Sequence, residues 1–322
     1  MSYDIIGDIH GHADALEALL KGMGYRETQG AWRHPARQAI FVGDFIDRGP
    51  RQFDSVDLVR RMVEAGSAQA VMGNHEFNAI AWFLPDPGTP GEYLRRRHSP
   101  KYGDKNYQQH AAFLAEVAGT PRQKEAIDWF LTLPLWLDLP ALRVVHACWH
   151  QPFMDYLAPY LKPDARLTED LMVAAAHEPE DERDKDTPEP TVFKAVEALL
   201  KGIEIPLPAP HSFTDKDGHV RTRIRVRWWD GDAVGYRDTA MLSDAERRDL
   251  PADAVPARVR IGYDADKPVF IGHYWLEEAV PTLLADKVAC VDYSVAHGGK
   301  LVAYRFESEP VLRQGGFLWM GQ

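Results

Sequence analysis

The chain has 322 residues, 45% of them hydrophobic, enough to bury a full core as one large domain or two modest ones. With 37 basic against 48 acidic residues the formal net charge is −11, which excludes nucleic acid as the expected partner, since phosphate backbones favour a basic footprint. Cys148 and Cys290 are too few for a disulfide framework and read as buried, reduced thiols, and no uncharged apolar stretch approaches the ~20 residues that span a bilayer.

The first β-type run, Tyr3–Ile6, leads into Gly7-Asp8-Ile9-His10-Gly11. A strand starting at Tyr3 and a first candidate ligand at Asp8 leave no room for a cleaved signal peptide, so the cytoplasm is the expected compartment. Residues 13–20 carry apolar side chains at 15, 16, 19 and 20, the spacing of a helix face, with Asp14 in the first turn and Gly22 and Gly24 as the expected end. His12 is expected to cap that helix or line the cleft rim. The run Ala39–Val42 then leads into Gly43-Asp44-Phe45-Ile46-Asp47-Arg48-Gly49, and residues 53–65 are helical by the same periodicity. A third run, Ala70–Met72, leads into Gly73-Asn74-His75-Glu76. Strand–loop–helix units repeated in this way predict βαβ topology and a largely parallel sheet.

From Pro85 to Pro140 prolines punctuate a helical excursion whose clearest helix is Lys124–Leu133. Strand character returns at Leu142–Val145, followed by His146. Residues 152–257 read as an insertion. It holds an acidic, solvated run from Glu178 to Asp186, a helix around Val192–Leu200, and an alternating strand over Val220–Trp228 behind an Asp217-Gly218 hairpin turn. On that strand Arg221, Arg223, Arg225 and Arg227 form one face. Three further strand-like runs, Val269–Ile271, Val288–Val291 and Leu301–Phe306, close the chain, the first ending in Gly272-His273.

Carboxylates, imidazoles and an amide therefore fall at the C-terminal ends of neighbouring strands, where open α/β sheets bind ligands. Such donors suit divalent cations of the manganese, iron and zinc type. Two metals ~3.5–4 Å apart can hold an attacking hydroxide and stabilise an in-line displacement at phosphorus. Asp44, mid-cluster with two lone-pair faces, is the natural bridge. Asp8 and His10 converge on one metal; Asn74, His146 and His273 serve the second. His75 can protonate a leaving group, Asp47 can hold its tautomer, and Arg48 offers a planar fork to phosphate oxygens.

These motifs resemble the signatures of the calcineurin-like metallophosphoesterases, specifically the phosphoprotein phosphatase branch, related to the symmetrical diadenosine tetraphosphatases. The resemblance covers roughly residues 3–83, 142–150 and 268–306. It implies a four-layer α/β/β/α sandwich of two mixed sheets with a dinuclear site at the strand ends. It also implies ligand roles for Asp8, His10, Asp44, Asn74, His146 and His273, with His75 and Asp47 as an acid pair. Two divalent ions, manganese first and iron, zinc or magnesium as alternatives, are the implied cofactors. The expected organisation is a catalytic core at 1–151 and 258–322, with the excursion at 85–140, and an insertion or cap at 152–257 bordering the site.

The chain departs from the family at Ala147-Cys148-Trp149-His150, where Gly-Gly usually follows the histidine, and at Tyr274, where threonine is usual. The family's second phosphate-clasping arginine has no unambiguous match. Arg225 and Arg227 are the candidates, with His150 as a substrate-pocket residue. The aromatic group Trp228, Trp229 and Trp275 is expected to pack core or lid. Related diadenosine tetraphosphatases as a rule lack the aspartate equivalent to Asp47 and end the third motif in aspartate, so Asp47 and Glu76 favour the protein-phosphatase pattern. The expected activity is hydrolysis of phosphomonoesters, phosphoproteins included. The rival is hydrolysis of a diadenosine polyphosphate or another nucleotide, and a catalytically silent metal-binding scaffold is the alternative of another class. A phosphorylated substrate, but neither nucleic acid nor membrane, is the expected partner; the sequence leaves the oligomeric state open.

Overall fold

The computed structural model describes residues 2–214 and 218–320. Two sheets carry the fold. In the larger, Ser2–Ile6, Arg37–Phe41 and Ala68–Ala70 run parallel in that order. Lys300–Phe306 runs antiparallel to Ser2–Ile6 and pairs along its other edge with Asp292–Tyr293 and Phe317–Trp319. In the smaller sheet Arg143–Val145, Val269–Ile271 and Val288–Cys290 are parallel neighbours, and Trp136–Asp138 adds an antiparallel edge. The central strands read as unbroken apolar runs because both of their faces are covered: Ile5, Ile6, Ile40, Phe41, Phe270 and Ile271 are all fully buried. Burying each such side chain contributes about 1.5–3 kcal/mol.

The sheets meet face to face, where Phe270 packs on Tyr304 and Phe306 at ring separations of 5.1 and 5.8 Å. Helices Ala13–Met23 and Gln52–Glu64 pack against strands of the larger sheet. Beyond the smaller one lie Gln151–Leu157, Glu169–Ala176 and Val192–Lys201, tied back where the Ala147 N–H donates to the Leu199 carbonyl. The expected α/β/β/α order is what the chain adopts.

Local details differ from expectation. Gly22 lies inside the first helix, and Gly24, at φ 102°, is the residue that ends it. The excursion holds a second, longer helix, Gly103–Val117, and its other helix is Pro121–Phe130, three residues earlier than the periodicity placed it. The acidic run is exposed for most of its length but closes with a 3₁₀ turn, Glu182–Asp186.

The expected strand over Val220–Trp228 is broken in two. Val220–Arg221 pairs with Phe213–Thr214, while Arg223–Arg225 pairs with Glu204–Pro206. Val220 is 70% exposed although Ile224, Val226 and Trp228 are buried, so alternation mimicked one strand where only the second half meets the core. Asp217 of the expected turn lies outside the described residues.

Candidate metal centre

Sheet register assembles the first half of the centre. Ile6, Phe41 and Ala70 stand in line across three parallel strands. Their chains leave the sheet together and deliver Asp8, Asp44 and Asn74 within the next few residues. In the second sheet Val144 pairs with Phe270, which brings His146 and His273 to the same end. The backbone there is tightly folded: His10, Asp44, Asp47, Arg48, His273 and Trp275 all have positive φ, between 47° and 78°. Non-glycine residues in that region cost free energy, and such strain gathers at functional sites. Close approach also demands glycine, since a Cβ on Gly43 would lie 2.5 Å from the Gly73 nitrogen and one on Gly272 2.1 Å from Asp8 Oδ1.

Asp44 is the hub. Its Oδ2 lies 3.4 Å from His146 Nε2 and 3.8 Å from both His10 Nε2 and His75 Nε2. Two groups of ligand atoms share it: His10, Asp44 and His75 form one, and Asp44, His146 and His273 the other. Asn74 Oδ1 joins the second group, 3.1 Å from His146 Nε2 and 2.8 Å from His273 Nδ1. Asp8 accepts the His273 backbone N–H through Oδ2 at 3.0 Å, and its Oδ1 is buried without a hydrogen-bond partner.

Hydrogen bonding on the far side of two rings tests whether these residues fit cations. His10 Nδ1–H donates to the Ile46 carbonyl at 2.9 Å, and His146 Nδ1–H to the Val42 carbonyl at 2.7 Å. In the neutral rings both Nε2 atoms therefore carry lone pairs, aimed at the carboxylate and amide oxygens of Asp44 and Asn74. Acceptors facing acceptors in a buried pocket need a cation or protons between them. His10 Nε2 and His273 Nε2 are buried without partners. The donor set fits divalent metals.

Charges in the cluster behave accordingly. Burial raises Asp8 well above the usual carboxylate range, with Asp292 and Asp44 adding to it. Burial also opposes ionisation of Asp44, but His146, His75 and His10 outweigh it and hold that carboxyl well below its ordinary value. Burial, reinforced by His75, pushes His10 down to about 3, a neutral ring. At His75 and His146 burial is overcome by Asp44, and both rings rise above 6.5.

The acid pair is in contact: His75 Nδ1 lies 2.5 Å from Asp47 Oδ2. Arg48 lies over the Trp275 ring, Cζ 4.1 Å from its centroid, and its Nη1 is 2.8 Å from His297 Nε2. Of the arginine face, Arg225 reaches toward the centre. It lies over Tyr274, next to His273, and its charge is second only to burial in holding the His273 ring well below its ordinary value. Its Nε is buried without a hydrogen-bond partner, while its Nη2 lies 3.5 Å from Glu204 Oε1. Arg227 turns instead to Asp230 and the Asp238 carbonyl, and Arg223 forks onto both oxygens of Asp186.

Two further histidines stand at helix starts. His150 caps the Gln151–Leu157 helix through the Phe153 N–H and stacks on the Phe153 ring at 4.0 Å, while burial pushes it down to about 4. His12 precedes the first helix but makes no side-chain cap. Trp228 and Trp229 are core, whereas Trp275 lies apart from them on Arg48. Both cysteines are buried free thiols whose pKa burial raises.

Sequence reasoning missed Asp292, Gln52 and His110. Asp292 follows the apolar run Val288–Val291 and holds the Trp275 and Ser294 N–H groups, so the strand-end rule applied to that run could have found it. Gln52 braces the second motif by accepting the Asp47 N–H and donating to the Gly49 carbonyl, each at 2.5 Å. His110 sits mid-helix with no local signal.

Carboxylates, imidazoles and an amide converging at the strand ends of an α/β/β/α sandwich define a metallophosphoesterase. The chain belongs to the calcineurin-like phosphoesterase family, whose pattern matches residues 1–199. It is 38% identical over 164 residues to the asymmetrical bis(5'-nucleosyl)-tetraphosphatase PrpE of Bacillus thuringiensis, covering 48% of this chain and 60% of that one. The same protein of Halalkalibacterium halodurans is 45% identical over 76 residues, 23% of this chain and 31% of that one. The chain thus spans between about a third and three fifths of these relatives' length. A protein serine/threonine phosphatase of Saccharomyces cerevisiae superposes with a TM-score of 0.48 at 14% identity, over 99% of this chain and 79% of that one.

Proposed function

We propose that the protein is a dinuclear metal-dependent phosphoester hydrolase acting on phosphomonoesters. The observation that carries this reading is the pair of ligand groups sharing Asp44, with an ion-paired histidine at their edge. Asp8, His10 and Asp44 would hold one cation, and Asp44, Asn74, His146 and His273 the other. His75, grouped by geometry with the first set, is assigned to proton transfer because its Nδ1 is committed to Asp47. Two divalent ions, manganese first, would supply Lewis acidity at phosphorus and an activated water.

The chain's own residues do the rest. Asp47 fixes the His75 ring so that Nε2 faces the cluster, where it can protonate a leaving oxygen. Arg48, held by Trp275, and Arg225 offer guanidinium forks to phosphate oxygens from two sides. We assign residues 152–257, which include Arg225, to a cap bordering the site, and the protein to the cytoplasm; among the described residues no helix is long and apolar enough to cross a membrane.

A second reading, hydrolysis of dinucleoside polyphosphates, is favoured by the names of the sequence relatives. Protein loaded with manganese, assayed against an alkyl phosphate, p-nitrophenyl phosphate, a phosphopeptide and diadenosine tetraphosphate, separates the two. Preference for the tetraphosphate would overturn the phosphomonoester reading. His75→Asn should slow the alkyl phosphate by about 10²–10⁴-fold and p-nitrophenyl phosphate much less, since p-nitrophenolate leaves without a proton. Equal losses would remove His75 from the proton-donor role.

A further inference from the structure

Asp47 serves two histidines. The oxygen that meets His75 Nδ1 at 2.5 Å also meets His110 Nδ1 at 2.8 Å. All three side chains are buried. His110 comes from the Gly103–Val117 helix, outside the three motif loops, and it is in neither ligand group. A carboxylate oxygen attracts N–H and repels a ring lone pair at such distances, so both imidazoles must present Nδ1–H to Asp47. In His75 this orients Nε2 toward Asp44.

The second contact constrains Asp47 itself. Its Oδ1 is buried without a hydrogen-bond partner, so that oxygen does nothing to fix the carboxylate plane. With His75 alone, the group could pivot about a single hydrogen bond. Two donors arriving at Oδ2 from different elements set its rotation, and Gln52 holds the backbone N–H beneath it. The His75 and His110 rings stand nearly perpendicular, at 83°, and reach the one oxygen from different elements. On its far side His110 packs against Trp82, 6.3 Å between ring centres, which fixes its own orientation. The helix is in turn anchored just after the second motif, where Glu116 accepts the Gln52 and Phe53 N–H groups that open the next helix, at 2.8 and 2.9 Å.

We propose that His110 is a positioning residue for proton transfer. It locks the Asp47 carboxylate and, through it, the orientation of His75. This rests on the reading of His75 as proton donor, and the test separates the two.

Four variants, His110→Leu, His110→Asn, His110→Gln and His75→Asn, are assayed with manganese on an alkyl phosphate and on p-nitrophenyl phosphate. An Asn amide can donate from about the place of the ring Nδ1; a Gln amide reaches past it. His110→Leu and His110→Gln should slow kcat for the alkyl phosphate about tenfold more than for p-nitrophenyl phosphate, with KM little changed, a fraction of the full general-acid effect. His110→Asn should restore the ratio even where its thermal stability is lower. In an Asp47→Asn background, His110→Leu should add no further selectivity, because residues acting as one unit are non-additive.

A packing role alone would lower stability and slow both substrates alike. Equal slowing in His110→Leu, or in His110→Gln should the leucine variant fail to fold, overturns the proposal, as does failure of His110→Asn to restore the ratio. If His75→Asn shows selective loss and the His110 variants do not, only the present inference falls. If His75→Asn itself is unselective, the proton-donor reading falls and takes this inference with it.

Discussion

Glu76 grips the loop that carries Asp44. Its Oε2 accepts the Asp44 N–H at 2.8 Å and the Gly73 N–H at 3.0 Å, while Oε1 accepts the Phe45 N–H at 2.8 Å. A fully buried carboxylate thus ties the second motif to the third and fixes the residue shared by both ligand groups. Burial pushes Glu76 up to about 7, with the Asp44 charge adding to it. The three N–H donors pull the other way, and cations bound at Asp44 would favour the ionised form further.

Glu76→Ala should therefore cost about 2–4 kcal/mol, because it strands three buried backbone donors. Glu76→Gln keeps one acceptor oxygen and should cost less. Denaturant unfolding measures the stability, and metal analysis should show lower metal content in the alanine variant. Stability unchanged within error in Glu76→Ala would mean the loop holds its own shape.

Asp44→Asn tests the shared ligand with little steric change. Asparagine tolerates the φ of 55° that Asp44 adopts, so the backbone should survive and only the charge is lost. Metal analysis of protein purified without chelator should fall from close to two ions per chain to one or fewer, with activity falling in step. A fully active, fully loaded variant would remove Asp44 from the bridging role.

Protons and metals should compete. His75 and His146 rise above 6.5 because, despite burial, Asp44 stabilises their cationic forms. A raised value means that more of a ring is protonated at a given pH, so a cation held by His146 must displace its proton. Affinity for manganese should weaken as pH falls through the imidazole range, by about tenfold per pH unit for each proton displaced. Titration calorimetry in buffers of different ionisation enthalpy would count the protons released; zero release at pH 6 would contradict these directions.

Arg225 is singled out from the arginine face by its place beside Tyr274 and His273. Lysine cannot copy a bidentate fork, so Arg225→Lys should lower kcat/KM nearly as much as Arg225→Ala, by about 10–100-fold if it clasps phosphate. Arg227→Ala and Arg221→Ala should remain within a few-fold of the parent. If Arg225→Ala does also, the second clasp lies elsewhere.

Much of this centre was legible in the chain because its chemistry is local to strand ends. An apolar run followed by glycine and an acid, imidazole or amide states both where a strand stops and what it presents there. Asp8, His10, Asp44, Asn74, His146 and His273 could all be named this way, as could the pairing of His75 with Asp47. The central parallel strands announced themselves because burial on both faces forbids polar interruption.

What lay beyond reading was set by contacts between elements distant in sequence. Val220–Trp228 alternates perfectly, yet alternation cannot say which residues meet the core, and Val220 and Thr222 at its start face water. Arg223 and Arg227 turned to Asp186 and Asp230, and Arg225, which pairs with Glu204 at 3.5 Å, came to lie beside His273, by how the segment packs. His110 is one polar residue on a helix until that helix docks on the start of the Gln52–Glu64 helix through Glu116 and places its ring on Asp47. Local pattern determined the candidate ligands and the central strands of this protein; tertiary packing decided which neighbours orient them, because a hydrogen bond across 63 residues leaves no periodicity in the chain.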